Sequence, residues 1–153
     1  MTDAIIPAIT YRDPRAATRW LAEAFGFQLT MAIEGPPEQP AASHYEMAGP
    51  AGGRIMIGGE WSTRTVSPAG VRGVNTQSVH VRVPGGLDEH CAIAREKGAE
   101  IVAEPADQFF GDRTYRALDP EGHCWTFAAH IRDVSRAEAE QLIGMPIAAR
   151  DWE

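Results

Sequence analysis

The residues best suited to chemistry in this sequence alternate along one predicted strand, at Ser78, His80 and Arg82. Side chains two residues apart in a strand share a face, so these three point one way and the valines between them point the other. Arginine offers a planar fork of donors, and histidine donates or accepts a hydrogen bond. The polar face therefore favours an anionic or hydrogen-bonding ligand, although an ordinary solvated sheet face has the same pattern.

A second pair of reactive residue types, Cys124 and Thr126, shares one face of a strand predicted over residues 123–129. We expect this pair to lie on the same concave sheet face as Ser78, His80 and Arg82. Each such concave face is called a cup below. A thiol beside a base and a cation is a nucleophile. Nucleophilic catalysis by Cys124, with His80 as the base and Arg82 as the cation, is therefore an alternative to ligand binding. Most cysteines in strands fill apolar space instead, and we predict no catalytic residue.

Aromatic side chains in or beside predicted loops are expected to border the cups. Aromatic walls with few polar contacts suit a flat or apolar small ligand, and a dimer interface or a loop anchor would use the same side chains. The aromatic rim comprises Trp61, Phe109, Phe110 and Tyr115. The predicted ligand-binding set is therefore Met56, Trp61, Ser78, His80, Arg82, Phe109, Phe110, Tyr115, Cys124 and Thr126.

Two other groups of polar residues are weaker candidates. His44 and Glu46 share a predicted strand face, which makes them candidates for a displaced metal site. Two side chains are too few, and nothing fixes a third ligand beside them, so we predict no metal. Asp119 and Glu121 lie in a turn, where aspartate accepts local backbone hydrogen bonds. We therefore do not interpret them as a catalytic pair.

The elements that position these residues occur twice. Residues 45–52 and 115–122 share the spacing of a tyrosine, a proline and a glycine ahead of a strand, which indicates an internal duplication. Tyr45 corresponds to Tyr115, Pro50 to Pro120 and Gly52 to Gly122.

Each repeat has the pattern strand, helix and three strands. Asp13 and Pro14 predict a helix start and Gly26 predicts its end, and the apolar stripe between them places Trp20 in the core. The predicted strands cover residues 4–11, 27–34, 42–47, 53–59, 77–83, 99–103, 115–118 and 123–129, and further helices cover 87–97 and 135–143.

We predict one α+β domain over residues 1–153, built from two βαβββ units that form cupped mixed sheets. The units cover residues 4–60 and 76–130, a loop over 61–75 connects them, and 131–153 form a C-terminal helix and tail. Trp125 and Phe127, opposite Thr126, are expected to pack under the second helix. Trp152 is expected to dock the tail.

Composition excludes several classes of function. The chain has 44% hydrophobic and 23% charged residues and a net charge of -7, which is ordinary for a globular protein and unsuited to nucleic acid. We predict no membrane segment, because no apolar run approaches about 18 residues. The two cysteines indicate reduced thiols and a cytoplasmic protein rather than a disulfide framework.

The paired βαβββ pattern, with the Asp119-Pro-Glu-Gly122 turn before the last strand, resembles the vicinal oxygen chelate superfamily of glyoxalase I, extradiol dioxygenases and bleomycin-resistance proteins. The similarity covers residues 5–129, and the run from Gly111 to Phe127 is most similar to the glyoxalase-like or PhnB-like group. The resemblance implies the fold, and it implies that the protein pairs as a homodimer.

The resemblance also implies where a divalent metal would be held. Enzymes of the superfamily use His and Glu from the first and last strand of each unit, and the aligned positions are Ile6, Met56, Ser78 and Thr126. None of these is a usual metal ligand, so we predict the fold without its metal and without another cofactor.

Three functions remain open on this basis. The leading hypothesis is a metal-independent protein that binds a small molecule in its cups. One alternative is a glyoxalase-like lyase or dioxygenase-type enzyme with a displaced metal. The other is an interaction module in which side chains fill both cups.

Overall fold

In the computed structural model, which describes residues 4–153, the chain forms two four-stranded sheets with a helix packed on each. Residues 1–3 of the predicted domain lie outside the described residues. The first unit comprises β1 (Ala8–Thr10), α1 (Pro14–Phe25), β2 (Gln28–Ile33), β3 (His44–Ala48) and β4 (Arg54–Gly58). The second comprises β5 (Val79–Arg82), α2 (Leu87–Glu96), β6 (Glu100–Asp107), β7 (Asp112–Leu118) and β8 (Cys124–His130), and α3 (Arg136–Ile143) follows.

The two sheets have the same topology, which confirms the predicted α+β fold of paired βαβββ units. Their strand orders are β1-β4-β3-β2 and β5-β8-β7-β6, with the first and last strand of each unit parallel. The registers also correspond, because Tyr45 pairs with Ile57 in the first unit and Tyr115 with Phe127 in the second. The sequence repeat is therefore a structural repeat.

Several predicted boundaries differ from the structure. The first strand is shorter than residues 4–11, because β1 begins after Pro7, which has no N–H to donate to a ladder. β6 and β7 are longer than predicted because they pair as a hairpin out to Asp107 and Arg113. Pro105 is accommodated since β6 is an edge strand whose register shifts between Ala103 and Ala106.

Helix α1 begins and ends as its sequence predicts. The Asp13 side chain accepts a hydrogen bond from the backbone N–H of Ala16 at 3.0 Å, and Pro14 occupies the first turn, where no N–H is needed. Gly26 ends the helix with a φ of 77°, in the left-handed region that glycine tolerates.

One apolar core extends across both units. Phe25, at the end of α1, has its ring centroid 4.5 Å from that of Phe127 and 5.6 Å from that of Trp125. Trp125 therefore packs against the first unit, through Phe25 and Phe27, rather than only under α2 as predicted. Trp20 is partly buried against this core, as predicted, and its indole N–H donates to the Lys97 carbonyl oxygen at 2.8 Å.

The core lies on one face of each sheet, which leaves the other face open. Along β3 and β4, buried and half-buried side chains alternate strictly. Tyr45 and Ile57 point into the core, while His44 and Met56 point the other way. These open faces are the cups in which the sequence places a ligand.

The turn before β8 joins the units through a buried carboxylate. Asp119 is 5% exposed and accepts four hydrogen bonds. Oδ2 accepts from the Tyr11 hydroxyl at 2.6 Å and the Trp125 indole at 3.0 Å, and Oδ1 accepts from two backbone N–H groups of the turn. Burial, with Asp119 beside it, raises the pKa of Tyr11 well above its ordinary value, so the phenol remains a donor.

The other polar residues of this turn extend the junction. Glu121 accepts from the backbone N–H groups of Arg12 and Asp13 and from the Ser67 hydroxyl, and His123 Nε2 lies 2.7 Å from the Thr10 carbonyl oxygen. Asp119 and Glu121 therefore hold the two units and the connecting loop together.

The C-terminal tail folds back onto the chain. The Trp152 indole donates to the Val134 carbonyl oxygen at 2.7 Å, and the backbone N–H of Arg136 donates to the Glu153 carbonyl oxygen at 2.8 Å. This confirms the predicted docking of the tail through Trp152. Within residues 4–153, no helix has the length and apolar character needed to cross a membrane.

Replacing Asp119 with asparagine should destabilise the fold strongly. The amide nitrogen that replaces one carboxylate oxygen carries hydrogens of its own. Either the Tyr11 and Trp125 donors on one side or the two backbone N–H donors on the other side therefore lose their acceptor. We expect the free energy of unfolding, measured in urea, to fall by about 3 kcal/mol. Asp151→Asn, which changes an exposed carboxylate, is the matched control and should change it little.

Two histidines should change the free energy of unfolding in opposite directions as the pH falls. Burial lowers the pKa of His90 below its ordinary value, so the folded state resists protonation there and stability falls as the pH drops below about 6.5. Hydrogen bonds to Asp112 and Asp133 raise the pKa of His130. Protonated His130 therefore stabilises the folded state at acidic pH, and this stabilisation is lost as the pH rises.

The slope of unfolding free energy against pH between about pH 5 and pH 8 tests these assignments. His90→Gln should make the loss of stability on acidification shallower, and His130→Gln should make it steeper. Equal slopes in both variants and the parent would contradict the assignment.

Candidate functional site

The second cup contains a row of polar side chains that crosses three strands. His80 on β5 is the register partner of Thr126 on β8, and Thr126 is the partner of Arg116 on β7. Arg116 Nε donates to the Thr126 hydroxyl at 3.3 Å. His80 and Arg116 are both exposed, so an imidazole and a guanidinium flank one hydroxyl on an open sheet face.

A depression of about 440 Å³ lies over this row. Its side-chain walls include Ser78, His80, Gln108, Phe110, Thr114, Arg116 and Thr126. Glu104 also borders it, but this carboxylate is engaged by Arg95. Each of the remaining polar groups can donate a hydrogen bond, and Arg116 can only donate, so the depression suits a small molecule with an acceptor oxygen.

Arg82 lies on the same face, beyond this depression, and has a protein partner. Its Nη1 donates to Asp112 Oδ2 at 3.1 Å, while its side chain remains 63% exposed. The other oxygen of Asp112, Oδ1, lies 3.2 Å from His130 Nδ1. The Asp112 carboxylate thus already accepts from the Arg82 guanidinium, which the sequence predicts to bind an anionic ligand.

The first cup holds a separate depression of about 300 Å³. Met56 and Trp61 line it, and Trp61 is 72% exposed. His44 Nε2 lies 3.9 Å from Glu46 Oε1, and the other Glu46 oxygen accepts from Arg54 at 3.1 Å. One member of the pair considered for a displaced metal, Glu46, is therefore engaged with an arginine.

The predicted thiol site is divided between two cavities. Cys124 lines a cavity of about 380 Å³ at the seam between β1 and β5, beneath the connecting loop, whereas His80 lines the second cup. The backbone N–H of Cys124 donates to Asn75 Oδ1 at 3.1 Å. Cys124 and His80 therefore border different cavities.

The aromatic rim is only partly as predicted. Phe109 and Phe110 form an edge-to-face pair with ring centroids 5.2 Å apart, and Phe110 borders the second cup. Gly111, which follows them, has no room for a side chain, because a Cβ there would lie 2.1 Å from the Arg132 carbonyl oxygen. Tyr115 does not lie in a loop at the rim: it is in the middle of β7, 1% exposed, and its ring stacks on Phe127.

The side chains at the family's metal positions do not fit a divalent cation. Ile6 and Met56 offer no oxygen or nitrogen donor, and Ser78 and Thr126 offer only neutral hydroxyls. Within the part of the chain that the structure describes, no three His, Cys, Asp or Glu side chains cluster in a way that would hold a metal ion.

Arg116 is the residue that sequence reasoning missed. The sequence pattern places Tyr115 at the rim, which leaves its neighbour Arg116 without a predicted role. The pattern of β8 contained the needed signal, since Trp125 and Phe127 mark its core face. Placing Tyr115 on that face as well puts Arg116 beside Thr126 in the cup.

This fold and these cups define the class of protein. The sequence profile of the Glyoxalase/Bleomycin resistance protein/Dioxygenase superfamily matches residues 6–127, and the chain belongs to that superfamily. A comparison with curated protein sequences gives no significant match.

Solved structures share the fold over most of the chain. TioX from Micromonospora sp. ML1 is 29% identical, with a TM-score of 0.64 over 87% of this chain and 100% of TioX. TnmS3, an antibiotic binding protein from Streptomyces sp. CB03234, is 17% identical, with a TM-score of 0.61 over 85% of this chain and 98% of TnmS3. The fosfomycin resistance protein FosX from Listeria monocytogenes is 13% identical, with a TM-score of 0.61 over 91% and 98% of the two chains.

The Asp112 network predicts a measurable change in His130. Asp112 contributes the largest upward effect on the pKa of His130 and Asp133 the next largest. Asp112→Asn should therefore lower the pKa of His130 more than Asp133→Asn does, as followed by NMR titration of the imidazole signals. An unchanged pKa in Asp112→Asn would show that the observed hydrogen bond does not form in solution.

Proposed function

We propose that this protein binds a small molecule in its second cup without using a metal ion. The observation that carries the proposal is the row of His80, Thr126 and Arg116 on an open sheet face. These side chains offer an imidazole, a hydroxyl and a guanidinium within one depression, and Phe110 adds an aromatic edge.

The chemistry of the row indicates the ligand class. A guanidinium and an imidazole both donate to acceptor oxygens, and the aromatic wall favours a ring. We therefore infer a flat organic molecule that carries a carboxylate or another acceptor group. The open volume of both cups favours this function over an interaction module, which would have them filled by side chains.

The similar structures support a small-molecule function at the level of the fold. TnmS3 is an antibiotic binding protein, and FosX is a fosfomycin resistance protein. Neither is similar enough in sequence for its ligand to be transferred to this chain.

We also propose that the protein acts as a homodimer in the cytoplasm. Apolar side chains stand exposed beside the first cup, including Ile33 at 56% and Trp61 at 72%, and such surface favours burial against a second copy. Both cysteines are free thiols, which fits a reducing compartment.

Binding of 2-naphthoate, a flat ring with one carboxylate, tests the proposed cup. We expect saturable binding that survives dialysis against EDTA, measured by calorimetry. Arg116→Ala should weaken it by about fivefold to tenfold, because one charge-assisted hydrogen bond is lost. His80→Ala should weaken it as well.

The first cup provides the matched control. Arg54→Ala removes a cation from the equivalent sheet face of the other unit and should leave 2-naphthoate binding unchanged. Binding that disappears with EDTA, or that depends on Arg54 and not on Arg116, would contradict the proposal.

A further inference from the structure

The cavity at the seam between the two units, beneath the connecting loop, has no role in the function proposed above. This seam cavity measures about 380 Å³, a volume usual for small-molecule sites. Strand β1, the start of β8 and the loop over residues 61–75 border it. It shares no bordering residue with the depression in the second cup, and it meets that of the first cup only along β1 and at Thr65.

The loop that covers the seam cavity is fixed to the second unit at two points. The Ser67 hydroxyl donates to Glu121 Oε1 at 2.6 Å. Further along the loop, Asn75 Nδ2 donates to the Gly122 carbonyl oxygen at 2.8 Å, and its Oδ1 accepts from the Cys124 backbone N–H at 3.1 Å. These bonds preform the cavity, so a ligand that enters it has little loop to order.

The wall of the seam cavity is largely aliphatic. Two of its side chains, Val71 and Val74, are 40% and 59% exposed, although valine gains free energy when it leaves water. An apolar chain lying in the cavity would cover both of them. The aliphatic residues that border the cavity are Ile9, Val66, Val71, Val74 and Val79.

The charge at the seam cavity is positive, in contrast to the rest of the protein. The chain has 21 acidic residues and a net charge of -7, yet among the described residues that border the cavity none has a carboxylate. Arg64 borders it and is exposed, and in the part of the chain that the structure describes no carboxylate pairs with its guanidinium. A long, exposed side chain without a protein partner can turn its donors onto an anion at the cavity.

We propose that the seam cavity is a second binding site, which takes an aliphatic monocarboxylate of medium chain length. The carboxylate pairs with the Arg64 guanidinium, and the hydrocarbon chain lies against Val71 and Val74. This ligand differs from the flat aromatic anion of the second cup, and the site does not depend on the function proposed for that cup.

Octanoate and octanamide form a matched pair of probes, because they share a chain and differ in charge. We expect both to perturb the amide NMR signals of Val74, Asn75 and Gln77, with octanoate binding about fivefold to tenfold more tightly. Octanoate should also bind about tenfold more tightly than hexanoate, since two more methylene groups leave water.

Two arginines of the same loop provide the matched variants. Arg64→Gln should abolish the preference for octanoate over octanamide, while octanamide binding and the preference for the longer chain are retained. Arg72 is exposed in the same loop but does not border the seam cavity, so Arg72→Gln should leave the preference for octanoate intact.

Three outcomes would overturn the proposal. The first is that the probes perturb no amide signals, or only those of cup residues such as His44 and His80. The second is a preference for octanoate that survives in Arg64→Gln. The third is an equal loss of that preference in Arg72→Gln, which would show that the anion responds to the charge of the whole loop rather than to a guanidinium at the cavity.

Discussion

The arrangement of the two units depends on one buried carboxylate. Asp119 accepts hydrogen bonds from the Tyr11 phenol, which follows β1, from the Trp125 indole of β8 and from two backbone N–H groups of its own turn. A carboxylate removed from water is tolerated only when hydrogen bonds replace its hydration, and here four do so. Because these donors come from both units, the same contacts that satisfy the charge also fix the units relative to each other.

This junction determines which sheet faces remain open. With Tyr11 tied to Asp119 and the Thr10 carbonyl tied to His123, the end of β1 is held against the start of β8. The helices then share one core around Phe25, and the opposite faces of the sheets point away from it. The cups are therefore a consequence of where the core forms.

Duplication preserved the backbone while the polar side chains diverged. The turn of the first unit has Gly49 where the second has Asp119. The second unit therefore supplies the buried carboxylate of the junction. At the family's metal positions both units have side chains that do not suit a divalent cation, so superfamily membership alone does not define the chemistry here.

The sequence by itself determined the repeat, the order of the elements, the capped helix α1 and the polar face of β5, because each depends on spacing along one segment. It did not determine which side chains meet across strands. Strand register decides that Arg116 lies beside Thr126 and that Arg82 lies within reach of Asp112. The connecting loop, which returns over the sheet from a distant position, helps to place Cys124 in a different cavity from His80.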